Sequence, residues 1–123
     1  MTFSFHPEAR AEFKEATIYY SEKSPSLASA FYTEIENAIE KIVDDPDLYH
    51  VIDEDVRRCL TRRFPYAILY TIEESYILIL AVMHCSREPS YWKNRLSWKH
   101  RQCEQPLCSR YLSMILQLHP WTP

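Results

Sequence analysis

The chain has 123 residues, a net charge of −3 and no glycine. Its length fits one domain around a single core. The lack of glycine excludes phosphate-cradling loops and dinucleotide fingerprints, which need glycine where the backbone approaches the ligand.

In chain order, Phe3 and Phe5 alternate over residues 2 to 6, which predicts a short strand. Pro7 stands where a first helical residue should, and Glu8 suits the positive helix start. The spacing predicts a helix over about 7 to 22, with Ala9, Phe13, Ala16 and Tyr20 on one stripe, broken at Ser24-Pro25-Ser26. A second helix over about 25 to 43 sets Ala28, Phe31, Ile35, Ala38 and Ile42 at helical spacing, and Asp44-Asp45-Pro46 ends it. The short connection predicts an antiparallel helical hairpin.

Residues 47 to 55 read as a loop. Three strands follow, over about 56 to 63, 65 to 72 and 76 to 84, joined tightly enough for an antiparallel meander. Pro65 lacks an amide donor and belongs at a strand start or bulge. Glu73-Glu74-Ser75 becomes a turn through its place between two apolar strands. The last strand is apolar on both faces and suits the centre of the sheet, which the amino-terminal strand joins. The expected fold is α+β: a two-layer domain with the helical hairpin packed on a small antiparallel sheet. Phe13, Phe31, Ile35, Ile68, Ile79 and Ala81 are its expected shared core. Residues 1–95 form the domain. Residues 96–123 are an atypical extension, in which Cys108 to Leu118 forms a short helix or stays loosely ordered.

The charge is divided along the chain. Up to Glu54 there are 4 basic and 12 acidic residues; from Asp55 onward there are 10 basic and 5 acidic. Such asymmetry points to two surfaces with different partners, although helices also carry acids simply to solvate an outer face. There is no basic-then-apolar leader and no run of about 20 apolar residues, so a cytoplasmic protein with no membrane segment is expected. Cys59 and Cys85 lie in or next to apolar strands and read as small hydrophobes. Cys103 and Cys108, taken with His84 or His100, lack the tight ligand pairs of structural zinc, and neither a metal nor a cofactor is expected.

Arginine carries the chemical signal. Arg57, Arg58, Arg62 and Arg63 fall on a predicted strand, and Arg87 follows the last one. Arginine is costly to bury unpaired, and its charged fork suits phosphate. On an unbroken strand 57 and 63 share one face and 58 and 62 the other, so one pair at most meets an open side. Arg57 and Arg58 can equally pair with Asp53, Glu54, Asp55 or Glu88. His84 is a candidate general base or a structural residue at a strand end. Tyr91 and Trp92 can stack on a nucleobase or pack the end of the sheet. His6 and His50 read as terminus and loop residues without a partner.

Taken together, Phe5-His6-Pro7-Glu8-Ala9, the hairpin with Tyr19-Tyr20, Arg57-Arg58-Cys59-Leu60 through Arg63-Phe64-Pro65-Tyr66, Val82-Met83-His84 and Arg87-Glu88-Pro89-Ser90-Tyr91-Trp92 resemble the RelE/ParE toxin superfamily. These are the plasmid-stabilisation toxins of bacterial type II toxin–antitoxin systems. The resemblance covers residues 1 to about 95. It implies growth inhibition, a cognate antitoxin that wraps the toxin, and a target in DNA gyrase (ParE-like) or in the ribosome and mRNA (RelE-like). It implies that Arg58 or Arg62, with Arg87, meets phosphate and that Tyr91 is the family's late tyrosine. Together with the residue reading, Arg58, Arg62, Arg63 and Arg87 are the target- or phosphate-binding candidates, and His84, Arg87 and Tyr91 the catalytic ones. RelE-like ribonucleases use sheet lysines, yet no lysine stands between Lys41 and Lys93. Arginine stays protonated at pH 7 and is a poor base. The balance favours a ParE-like, non-catalytic inhibitor. A ribosome-dependent mRNA endoribonuclease and a degenerate, non-toxic interaction module are the alternatives.

Overall fold

The computed structural model describes residues 2–88 and 90–100, with side-chain surroundings to residue 96. Its elements run β1 (Thr2–Phe5), α1 (Pro7–Lys23), α2 (Pro25–Asp44), β2 (His50–Asp53), β3 (Val56–Leu60), β4 (Tyr66–Ile72), β5 (Tyr76–His84) and a 3-10 helix (Lys93–His100). The stretch Cys108 to Leu118, with Cys103, lies outside the described residues.

Both helices start on proline, which gives up an amide that has no partner in a first turn. His6 is the N-cap of α1: its Nδ1 accepts the Glu8 N–H at 3.1 Å, and the residue is buried. The expectation of a histidine without a partner is therefore corrected. Capping needs only an acceptor at this position, and an imidazole nitrogen supplies one.

The sheet has the order β1-β5-β4-β3-β2. It is antiparallel except where β1 pairs parallel to β5. β5 therefore has a neighbour on each side, as its double-faced apolar pattern demands. Two local readings change. Residues 50–53, expected in a loop, form β2, an edge strand paired with β3. Without glycine, the turn between them puts Glu54 at φ 48°, in the left-handed region. The other change is at the end of β3, which stops at Leu60 rather than 63. The Thr61 hydroxyl donates to the carbonyls of Phe64 and Tyr66, and Glu34 of α2 accepts the amides of Arg62 and Arg63. Those amides are turned to a helix instead of to a strand, so Arg62 and Arg63 sit on a loop and the predicted sharing of faces does not reach them.

The sheet is apolar on both sides. Phe3, Phe5, Ile68, Tyr70, Ile77, Ile79 and Val82 meet Phe13, Phe31, Ile35 and Ile39 of the helical hairpin. Five of the six expected core residues lie here. Ala81 does not. Leu69 pairs with Ala81 and Tyr70 with Ile79, which leaves Leu80 as the extra residue of a bulge. The bulge turns both Leu80 and Ala81 to the second face, where they join Val56, Ala67, Leu69, Leu78, Met83 and Trp92. Trp92 is 1% exposed, so it packs the sheet and is not available to stack on a base.

Candidate functional site

The four arginines expected to meet a target, Arg58, Arg62, Arg63 and Arg87, are all exposed. Arg62 and Arg63 occupy the β3–β4 loop, and Arg87 follows β5. These two connections belong to one end of the sheet and are tied together where the Cys85 N–H donates to the Pro65 carbonyl at 2.8 Å. Glu34 takes hold of the loop by its backbone, with 2.8 Å to the Arg63 amide, which leaves the guanidinium groups to the surface. Arg63 lies 5.6 Å from the centre of the Phe64 ring. Arg58 stands further along β3, opposite His50 of β2 and Leu69 of β4, on the second face.

Arg57 belongs to a different class. It points to the helix side, donates to the carbonyls of Asp47 (3.0 Å) and Tyr49 (2.8 Å), and lies 3.7 Å from the Asp47 carboxylate. It is an ion-pair partner, as one reading of the sequence had it. Its acid is Asp47, not one of those adjoining it in the chain, because β2 turns Asp53 away while bringing residues 47–49 alongside.

The three residues named as catalytic candidates lie at and beyond the end of β5, His84 as its last residue and Arg87 and Tyr91 after it. The Arg87 guanidinium lies 3.9 Å from the centre of the Tyr91 ring. His84 Nδ1 bonds the Ser86 amide at 3.1 Å and its hydroxyl at 2.7 Å, and its ring meets Tyr66 edge-on at 5.1 Å. His84 and Arg87 share a cleft of about 260 Å³ with Glu15, Ala16 and Tyr19 of α1 and with Tyr66. Burial, then the charges of Tyr20 and Tyr19, push the Tyr66 phenol up to about 12. A second groove of about 300 Å³ runs beside α2, lined by Glu34, Ala38, Lys41, Tyr49, Cys59 and Arg62. Burial raises the Cys59 thiol there, so it stays a thiol.

Tyr91 is not free to carry protons. Its hydroxyl donates to Glu12 Oε2 at 2.6 Å. Burial, then the bond to Glu12 and the Glu12 charge, raise its pKa well above that of an ordinary phenol, against the opposing charges of Arg95 and Arg87. Glu12 is the junction of this region and was not singled out by the sequence, nor was Arg95. Arg95 Nη1 and Nη2 reach the two Glu12 oxygens at 3.0 and 2.9 Å, and Nη1 also donates to the Leu80 carbonyl at 2.9 Å. Glu12 Oε1 accepts the Val82 N–H at 3.0 Å. β1 ends at Phe5, so β5 beyond Ile79 lacks a strand on that side, and these two side chains take its place. Burial alone would lower the Arg95 pKa. The Glu12 hydrogen bonds and charge, followed by Tyr91 and Glu8, raise it on balance.

Among the described residues no group of three or more His, Cys, Asp and Glu side chains is placed to hold a metal, and no helix is long and apolar enough to cross a membrane. Residues 3–89 match the family model described as the ParE toxin of the type II toxin–antitoxin system, parDE. No curated protein matches the chain.

Proposed function

The chain belongs to the ParE toxin family of type II toxin–antitoxin systems, and from that premise we propose that it arrests growth by binding DNA gyrase, not by cutting RNA. Membership implies a cognate antitoxin as partner. The observation that carries the proposal is the division of labour at the end of the sheet. Arg62, Arg63 and Arg87 are all exposed on connections at that end, whereas the Tyr91 hydroxyl is bound to Glu12 and His84 Nδ1 to Ser86. RNA cleavage by the 2′-hydroxyl needs a base, a charge stabiliser and an acid for the leaving oxygen. Arginine supplies the second only, and no lysine stands between Lys41 and Lys93 to supply the first. A set of exposed arginines, with no lysine among them and with the Tyr91 hydroxyl and His84 Nδ1 already hydrogen-bonded, supports binding to an anionic or acidic surface.

Induced expression with and without the adjacent open reading frame tests this reading. The expected result is growth arrest with a DNA-damage response and intact mRNA, relieved by the neighbouring antitoxin. Codon-dependent mRNA cuts that disappear in His84→Ala or Arg87→Ala would make the endoribonuclease the correct reading. Normal growth on expression without the neighbour would leave a non-toxic interaction module.

A further inference from the structure

We propose that Glu12, Arg95 and Tyr91 are positioning residues for Arg87, holding its guanidinium in one orientation at the mouth of the cleft before a target arrives. This rests on the reading that Arg87 meets the target. An exposed arginine on a short connection ordinarily samples many rotamers and loses that freedom on binding. Arg87 instead lies on a platform, 3.9 Å from the Tyr91 ring centre. The platform is held at both ends. The Tyr91 amide donates to the Glu88 carbonyl at 3.3 Å, and the hydroxyl donates to Glu12. Glu12 is fixed in turn by the Val82 amide and by both Arg95 nitrogens. The Arg95 guanidinium also lies 4.9 Å from the same ring centre, so one aromatic ring engages two cations. The chain of contacts runs from a strand amide to an exposed charge without a loose link. Arg63 has a longer aromatic contact, 5.6 Å to the Phe64 ring centre, and its loop is held by its backbone.

The test pairs dynamics with a double-mutant cycle. Tyr91→Phe keeps the ring and removes the hydroxyl, and Glu12→Gln keeps an acceptor while removing the charge. Nitrogen relaxation at Arg87 Nε should report a restricted side chain in the wild type and a freer one in both variants, with melting curves showing that each remains folded. Binding to purified gyrase should weaken about two- to tenfold in Tyr91→Phe, the scale of one immobilised side chain. The same change should have no further effect in an Arg87→Ala background. A mobile Arg87 in the wild type, or additive losses in the double variant, would overturn the positioning role. If Arg87→Ala leaves gyrase binding intact, the assignment of Arg87 to the target fails, and the positioning role fails with it. The relaxation data would still read the rigidity of the network separately.

Discussion

Glu12 accepts hydrogen bonds from Val82, Tyr91 and both terminal nitrogens of Arg95. Arg95 is 5% exposed, and its charge is balanced chiefly by that carboxylate at 2.9 Å, with Glu8 further off at 3.6 Å. Breaking a buried pair by removing one partner leaves the other uncompensated, at a cost of about 3–5 kcal/mol. Glu12→Ala should therefore destabilise the protein by about that amount in urea unfolding, and Glu12→Gln by less. Arg57→Ala should cost about 1.5–3 kcal/mol, since it removes bonds from a charged donor to two carbonyls. Arg58→Ala, exposed and outside that set, should leave stability nearly unchanged. His6 adds a pH dependence. Burial, then the nearby Arg95 charge, hold its pKa below the ordinary 6.5, against Glu8 and Glu12. Between that ordinary value and the depressed one the unfolded chain binds a proton that the folded chain does not, so stability falls as pH drops through this window. Denaturation at pH steps downward from neutrality checks the slope. His6→Asn, which keeps an N-cap acceptor, should flatten it.

At the scale of elements, the β2–β3 turn and the second apolar face depart most from what periodicity indicates. Glu54 holds a left-handed φ that glycine adopts without penalty. Glu54→Gly should raise stability by about 0.5–1 kcal/mol, the relief of the left-handed φ exceeding the added flexibility of the unfolded chain, read from the unfolding midpoint. Helix bounds were legible from Pro7, Pro25 and the Phe13 and Phe31 stripes, because helical spacing and a proline start are local signals. The end of β3 was not. It depends on Glu34, 28 residues earlier, reaching the Arg62 amide. The displaced face of Ala81 likewise comes from a bulge that alternation cannot announce. The exposed arginines were legible by type alone, since arginine is rarely buried unpaired. The Glu12–Arg95 pair, 83 residues apart, has no local signature in either segment.

The described residues join an acidic helical hairpin to a sheet that carries Arg62, Arg63 and Arg87 on connections at one end. The hairpin and the Trp92 segment cover its two faces, and Glu12 with Arg95 close the part of β5 that β1 does not reach. Among the described residues this end presents exposed arginine charge on a packed frame, which suits inhibition by binding. Supercoiling of relaxed plasmid by purified DNA gyrase, with the protein added at increasing concentration, tests this most directly. Inhibition by the wild type, with a loss of at least tenfold in the folded Arg62→Ala/Arg63→Ala/Arg87→Ala variant, is the predicted result; the tenfold corresponds to about 1.4 kcal/mol of lost binding. Undiminished supercoiling at every concentration of a folded, growth-arresting wild type would contradict it.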